Sequence, residues 1–160
     1  MNRLSLFAAI CLFPMTAVQD AFAQEASTTM DVKSLTAAGA ELALAAAETE
    51  ARSKSLTVSI AVVDVAGNLL AFRRMDRAMP ATVAAAIQKA QTAAQLGQPS
   101  KVLQDLVDGG KPSMLAIEGL RPLQGGMPLI VEGVVVGGIG VSGAAPDQDE
   151  GIARSGTEAI

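Results

Sequence analysis

The sequence predicts an α/β (α+β) domain built on a largely antiparallel sheet, and three observations carry that prediction. Two stretches read as β-hairpins, one turning at Ala66-Gly67-Asn68 and one at Glu132-Gly133. Apolar stripes at helical spacing stand before, between and after them. The resulting order, α-β-β-α-α-β-β-β-α, is dominated by hairpins, so helices should pack against an antiparallel sheet.

Each element has a local reason. Gln24 to Met30 is a short polar leader. From Asp31, the residues Val32, Leu35, Gly39, Leu42 and Ala46 recur at three- and four-residue spacing, which predicts a helix to about Lys54. Thr57 to Val65 is rich in β-branched residues and reads as a buried strand. Gly67 and Asn68 tolerate positive φ, and Leu69 to Met75 returns as the second strand. Pro80 suits the start of a second helix, with Val83, Ile87, Ala90 and Ala94 as its expected buried face and Gly97 as its end. Ser100 can cap a shorter helix, Lys101 to Val107, which stops at Gly109-Gly110. Ser113 to Glu118 is expected as a short strand. Met127 to Val131 and Val134 to Val141 form the second hairpin. Pro146 opens the last helix, with Asp147 and Glu150 spaced as a capping box.

The first residues read differently. Met1-Asn2-Arg3 is a basic start, Leu4 to Val18 is mostly apolar, and Ala21-Phe22-Ala23 is a small-residue cleavage signal. This is the pattern of a secretory signal peptide, residues 1–23, cut before Gln24. It is preferred over a membrane anchor because the run is short and no second apolar segment follows. The expected mature protein, residues 24–160, is one domain, periplasmic or secreted, with no membrane span.

Composition narrows the chemistry. Cys11 is the single cysteine and leaves with the leader, so no disulfide braces the mature chain. There is no His, Trp or Tyr, and Phe72 is the one aromatic residue after Phe22. Conventional zinc, copper and iron–sulfur sites are thereby excluded, as are Ser-His-Asp and Cys-His nucleophiles. A formal net charge of −4 and the lack of stacking aromatics argue against nucleic-acid binding. A core of Ala, Val, Leu and Ile gains less per residue from burial than an aromatic one, so further burial between subunits of a homo-oligomer is expected.

Five features invite a chemical reading. Gly138, Gly140 and Gly143 match the glycine pattern of dinucleotide-binding turns. A hairpin strand precedes them and Pro146 separates them from the helix, so close backbone packing or close ligand approach fits better. Asp147, Asp149 and Glu150 crowd a helix start, where capping explains them better than a cation. Arg73, Arg74, Asp76 and Arg77 form either a solvated charged face or a partner for ligand carboxylates. Lys89 and Thr92 share a helix face off the Val83–Ile87–Ala90 stripe, either exposed or lining a groove. Met30, Met75, Met79, Met114 and Met127 read as core filler before haem ligands.

Together, SIAVVDVAGNLLAFRRMDRAMPATVAAAIQKAQTAA and GGMPLIVEGVVVGGIGVSGAAPDQDEGIA closely resemble the GlcG/HbpS family, which includes the C-terminal domain of some corrinoid adenosyltransferases. The resemblance runs from about Leu35 to Ala159. It implies a profilin-like fold, a central antiparallel sheet of about five strands flanked by helices, and assembly into dimers or larger rings. It implies an exported small-ligand-binding protein rather than an enzyme, with haem or a related tetrapyrrole as ligand and haem or iron sensing, storage or degradation as context. Among residues shared with the family, Arg73, Asp76, Lys89, Thr92 and Ser142 are the cofactor-binding candidates in a common groove. Arg73 or Lys89 would meet the propionates, and Thr92 or a Met the metal. Haem-binding members can use a histidine, and this chain has none. A second reading is a small-carboxylate-binding accessory protein or enzyme of glycolate or diol metabolism, with Arg73 on the acid and Asp76 or Asp64 as base. A third is a structural oligomer without ligand.

Overall fold

The computed structural model describes residues 28–160, whose compact unit runs from Val32 to Ile160. The signal-peptide reading of residues 1–23 lies outside the described residues. The elements are α1 (Ala37–Ser53), β1 (Ser59–Asp64), β2 (Leu69–Arg74), α2 (Ala81–Leu96), α3 (Lys101–Asp108), a 3₁₀ turn (Pro112–Ala116), β3 (Gly126–Val131), β4 (Val134–Ser142) and α4 (Pro146–Thr157). The strands form one antiparallel sheet in the order β2-β1-β4-β3.

The sheet has four strands among the described residues rather than about five. The strand expected at Ser113–Glu118 is the 3₁₀ turn. Pro112 presets a helical φ, and the bonds Met114 N–H to Lys111 O (3.1 Å) and Ile117 N–H to Met114 O (3.4 Å) close locally instead of joining a ladder. Helix α1 also starts later than expected. Thr36 is extended, and its hydroxyl accepts the Gly39 N–H at 3.1 Å, which fixes the cap there. At α4 the expected box of Asp147 and Glu150 is displaced by two residues. Pro146 is already helical, so Ala145 is the cap residue and Gln148 accepts the Ala145 N–H at 3.3 Å.

Alternation along β1 splits the core in two. Ile60 and Val62 face the layer made by α1 and α4, with Leu44, Ile139, Val141 and Ile152. Ala61 and Val63 face α2, with Ala86, Ala90 and Ala94. The second layer is thin because its glycines let α2 lie directly on the sheet. A Cβ on Gly138 would collide with the Ala90 carbonyl, and one on Gly140 with the Ala86 carbonyl. The glycine pattern near the end of β4 therefore serves close packing of backbone on backbone. The β3–β4 turn is a two-residue loop with Glu132 at φ 51° and Gly133 at φ 77°, as a tight hairpin of this hand requires.

Candidate functional site

The five candidate residues do not share one groove. Ser59 pairs with Arg74 on one side and with Ser142 on the other, so Arg74 and Ser142 lie on the α2 face with it. Arg73 pairs with Ile60 and points the other way, where its guanidinium meets Glu48 of α1 at 3.4 Å. Asp76 is exposed in the turn after β2. Lys89 and Thr92 are on α2, on the opposite side of the sheet from Arg73.

Lys89 and Thr92 are not on an exposed helix face, because the face of α2 that meets the sheet is the one they occupy. The residues buried there are Thr82, Ala86, Lys89, Ala90, Thr92, Ala93 and Ala94, while Val83 and Ile87 are only half-buried. Lys89 is 5 % exposed. Its ammonium donates to Asp149 Oδ2 at 2.8 Å and to the Val141 carbonyl at 2.8 Å. Asp149, in the first turn of α4, also accepts the Ala144 N–H at 2.9 Å. Burial pushes the Asp149 carboxyl up from its ordinary value, and the bond and charge of Lys89 pull part of that back. Gly125 covers the pair, since a Cβ there would stand 2.9 Å from Lys89 Nζ. This cluster ties α2 to the start of α4 through buried internal bonds. Thr92 is equally occupied: it donates to the Gln88 carbonyl at 2.8 Å and accepts the Arg121 N–H at 2.9 Å, anchoring the loop before β3.

Asp64, the alternative base, is committed to its turn. Its carboxylate accepts the Ala66 N–H (2.9 Å), the Asn68 N–H (2.8 Å) and the Asn68 side-chain amide (3.0 Å). Partial burial alone would raise this carboxyl, but these bonds outweigh it and hold it below its ordinary value.

The concave surface lies elsewhere. A groove of about 500 Å³ opens between the entry to α1, the β3–β4 hairpin and the C-terminal Ile160. Leu35, Ala38, Gly39 and Leu42 form one wall and Val131 and Val136 the other. A bulge builds it: Leu129 pairs with Gly137 and Ile130 with Val135, so Val136 is the extra residue. Its carbonyl is then available to accept the Leu35 N–H at 2.9 Å, which holds the chain before α1 along the hairpin. At the rim, Lys33 Nζ meets Glu132 Oε2 at 2.6 Å, both side chains being largely solvated.

Three of the groove residues fall on the stripe that the sequence assigns to the core, and Leu35 does pack against it, half-buried. Leu35, Gly39 and Leu42 belong to the stripe expected to be buried, yet Leu42 is 60 % exposed and the buried face of α1 is Ala40, Ala43, Leu44, Ala47 and Ala51. The segment ELALAAA is apolar on nearly all sides, so periodicity alone could not choose between the two faces. A second, smaller groove of about 380 Å³ runs along the β3 edge by Pro99, Met127 and Ile130. Among the described residues, no group of three or more Cys, Asp or Glu is placed to hold a metal ion, and no helix is long and apolar enough to cross a membrane.

Comparison with known proteins joins this geometry to a family. A family model described as haem degrading protein HbpS-like matches residues 35–158. Protein GlcG of Escherichia coli strain K12 is 37 % identical over 99 residues, covering 62 % of this chain and 74 % of GlcG. The crystal structure of HbpS is 35 % identical and superposes with a TM-score of 0.78, covering 86 % of this chain and 98 % of HbpS. The crystal structure of a PduOC:heme complex is 29 % identical with a TM-score of 0.71, covering 79 % of this chain and 95 % of PduOC.

Proposed function

This chain belongs to the HbpS-like family, and from that premise we propose that it binds haem, as an exported protein that assembles with copies of itself. One observation carries the haem reading: the fold is shared, over most of its length, with a relative whose structure is a haem complex. The chemistry of this chain agrees in part. Haem presents a broad apolar plate and an anionic edge, and the α1 groove offers an apolar slot with a lysine at its rim. Its lining holds no thioether, and the described residues include neither imidazole nor phenol, so the slot suits the porphyrin and its propionates better than the iron. Arg73 does not line this groove and pairs with Glu48 instead, and Lys89 and Thr92 are positioned to hold the protein together.

Export is supported by the leader pattern of residues 1–23, and self-assembly by the aliphatic core and by Val102, Leu115, Ile117 and Leu123, which are left exposed around α3 and the 3₁₀ turn. Native mass spectrometry of the purified protein with haemin tests the binding claim. The expected spectrum gains one haem mass per chain or per pair of chains. A spectrum with no discrete haem adduct overturns the reading.

A further inference from the structure

We infer that the groove between the α1 entry and the β3–β4 hairpin is the tetrapyrrole site, gripping the porphyrin plate and its propionates rather than its metal. The inference rests on the haem reading above and adds the place and the manner of binding.

Three independent features point to this surface. First, Ala38 and Leu42 of α1 stand exposed on the groove beside half-buried Leu35 and Gly39, an apolar stripe that no described residue covers. Second, the surface is concave, and its volume of about 500 Å³ falls in the range of small-molecule sites. A second protein copy would be better served by a broad, flatter face. Third, the rim carries a cation that an anionic edge could meet. Lys33 stands there, and α1 presents its N-terminal end with no acidic residue in the first turn.

The present partner of Lys33 is easily exchanged. Its pair with Glu132 is solvated on both sides and contributes little, so an incoming propionate can take the place of the Glu132 carboxylate. Glu132 thereby competes with the ligand for one cation. Removing the competitor should tighten binding, and reversing Lys33 should weaken it. Because the lining supplies no strong iron ligand, iron-free protoporphyrin should bind about as well as haemin.

Haemin and iron-free protoporphyrin are titrated into the purified wild type and four variants, with circular dichroism melting as a check on folding. Lys33→Glu and Leu42→Asp change exposed positions and should each weaken both ligands by roughly tenfold or more. Glu132→Asn, which keeps a residue tolerant of positive φ, should tighten both by about two- to fivefold. Met79→Asp, an exposed apolar position elsewhere, should leave affinity unchanged. If wild type binds haemin and the groove variants bind it equally well, the site is overturned while the haem reading stands. If haemin binds but iron-free protoporphyrin does not, grip through the plate is overturned. If Leu42→Asp lowers only the assembly size, the groove is an interface between copies and the inference fails. If wild type binds neither ligand, both the inference and the reading beneath it fall.

Discussion

Lys89 is the residue whose meaning changes most between sequence and structure. A lysine one step off an apolar stripe reads as a surface group, yet it forms a buried ion pair with Asp149. Taking Lys89 away strands a buried carboxylate, so Lys89→Met should cost about 3–5 kcal/mol in urea unfolding. Replacing both partners with apolar residues should recover much of that loss, because no charge is then left unpaired. Equal stability of Lys89→Met and wild type would contradict this role. Asp64 gives a pH-dependent counterpart. The folded chain holds the Asp64 proton less tightly than the unfolded chain, so its contribution is complete above the ordinary value near 3.8 and fades as the pH falls through and below it. Asp64→Ala should lower stability by about 1 kcal/mol at neutral pH, and the gap from wild type should close below about pH 4. A gap that stays constant down to pH 2 would show that Asp64 stabilises the turn without its charge.

At the scale of elements, the hairpins, α2 and the start of α4 were legible in the sequence because their signals are local. Gly67, Gly97 and Glu132-Gly133 sit where positive φ is needed, at 87°, 62°, 51° and 77°. What the sequence hid was any choice made by tertiary contact. The 3₁₀ turn at Pro112–Ala116 looks like a strand by composition, and only the lack of a ladder partner reveals it. The two apolar faces of α1 are chemically alike, and the α4–sheet contact decides which one is buried. The same limit applied to the candidate site: strand alternation turns Arg73 toward α1, while Lys89 lies on α2 across the sheet. The thin α2 layer yields a sharp test. Gly140→Ala puts a methyl group against the Ala86 carbonyl and should cost at least about 1–3 kcal/mol through displacement of α2. Thermal unfolding would show this as a clear drop in Tm, while an unchanged Tm would mean that the layer can relax.

For the whole molecule, a chain with a single cysteine, and so no internal disulfide, and a core of small side chains is expected to gain stability by assembling. Light scattering of the purified protein should give a mass above one chain, falling on dilution together with Tm. A monomer at all concentrations would remove assembly from the account. Expression in a Gram-negative host should yield a periplasmic product whose intact mass starts at Gln24. Retention of residues 1–23 would remove export. The most direct test of the central claim is a haemin titration followed by visible absorption. The protein has no Trp or Tyr and is nearly transparent at long ultraviolet wavelengths, so the signal belongs to the haem. The account predicts a saturable Soret shift with an end point at one haem per chain or per pair of chains. A response that never saturates, or no shift at all, would contradict it.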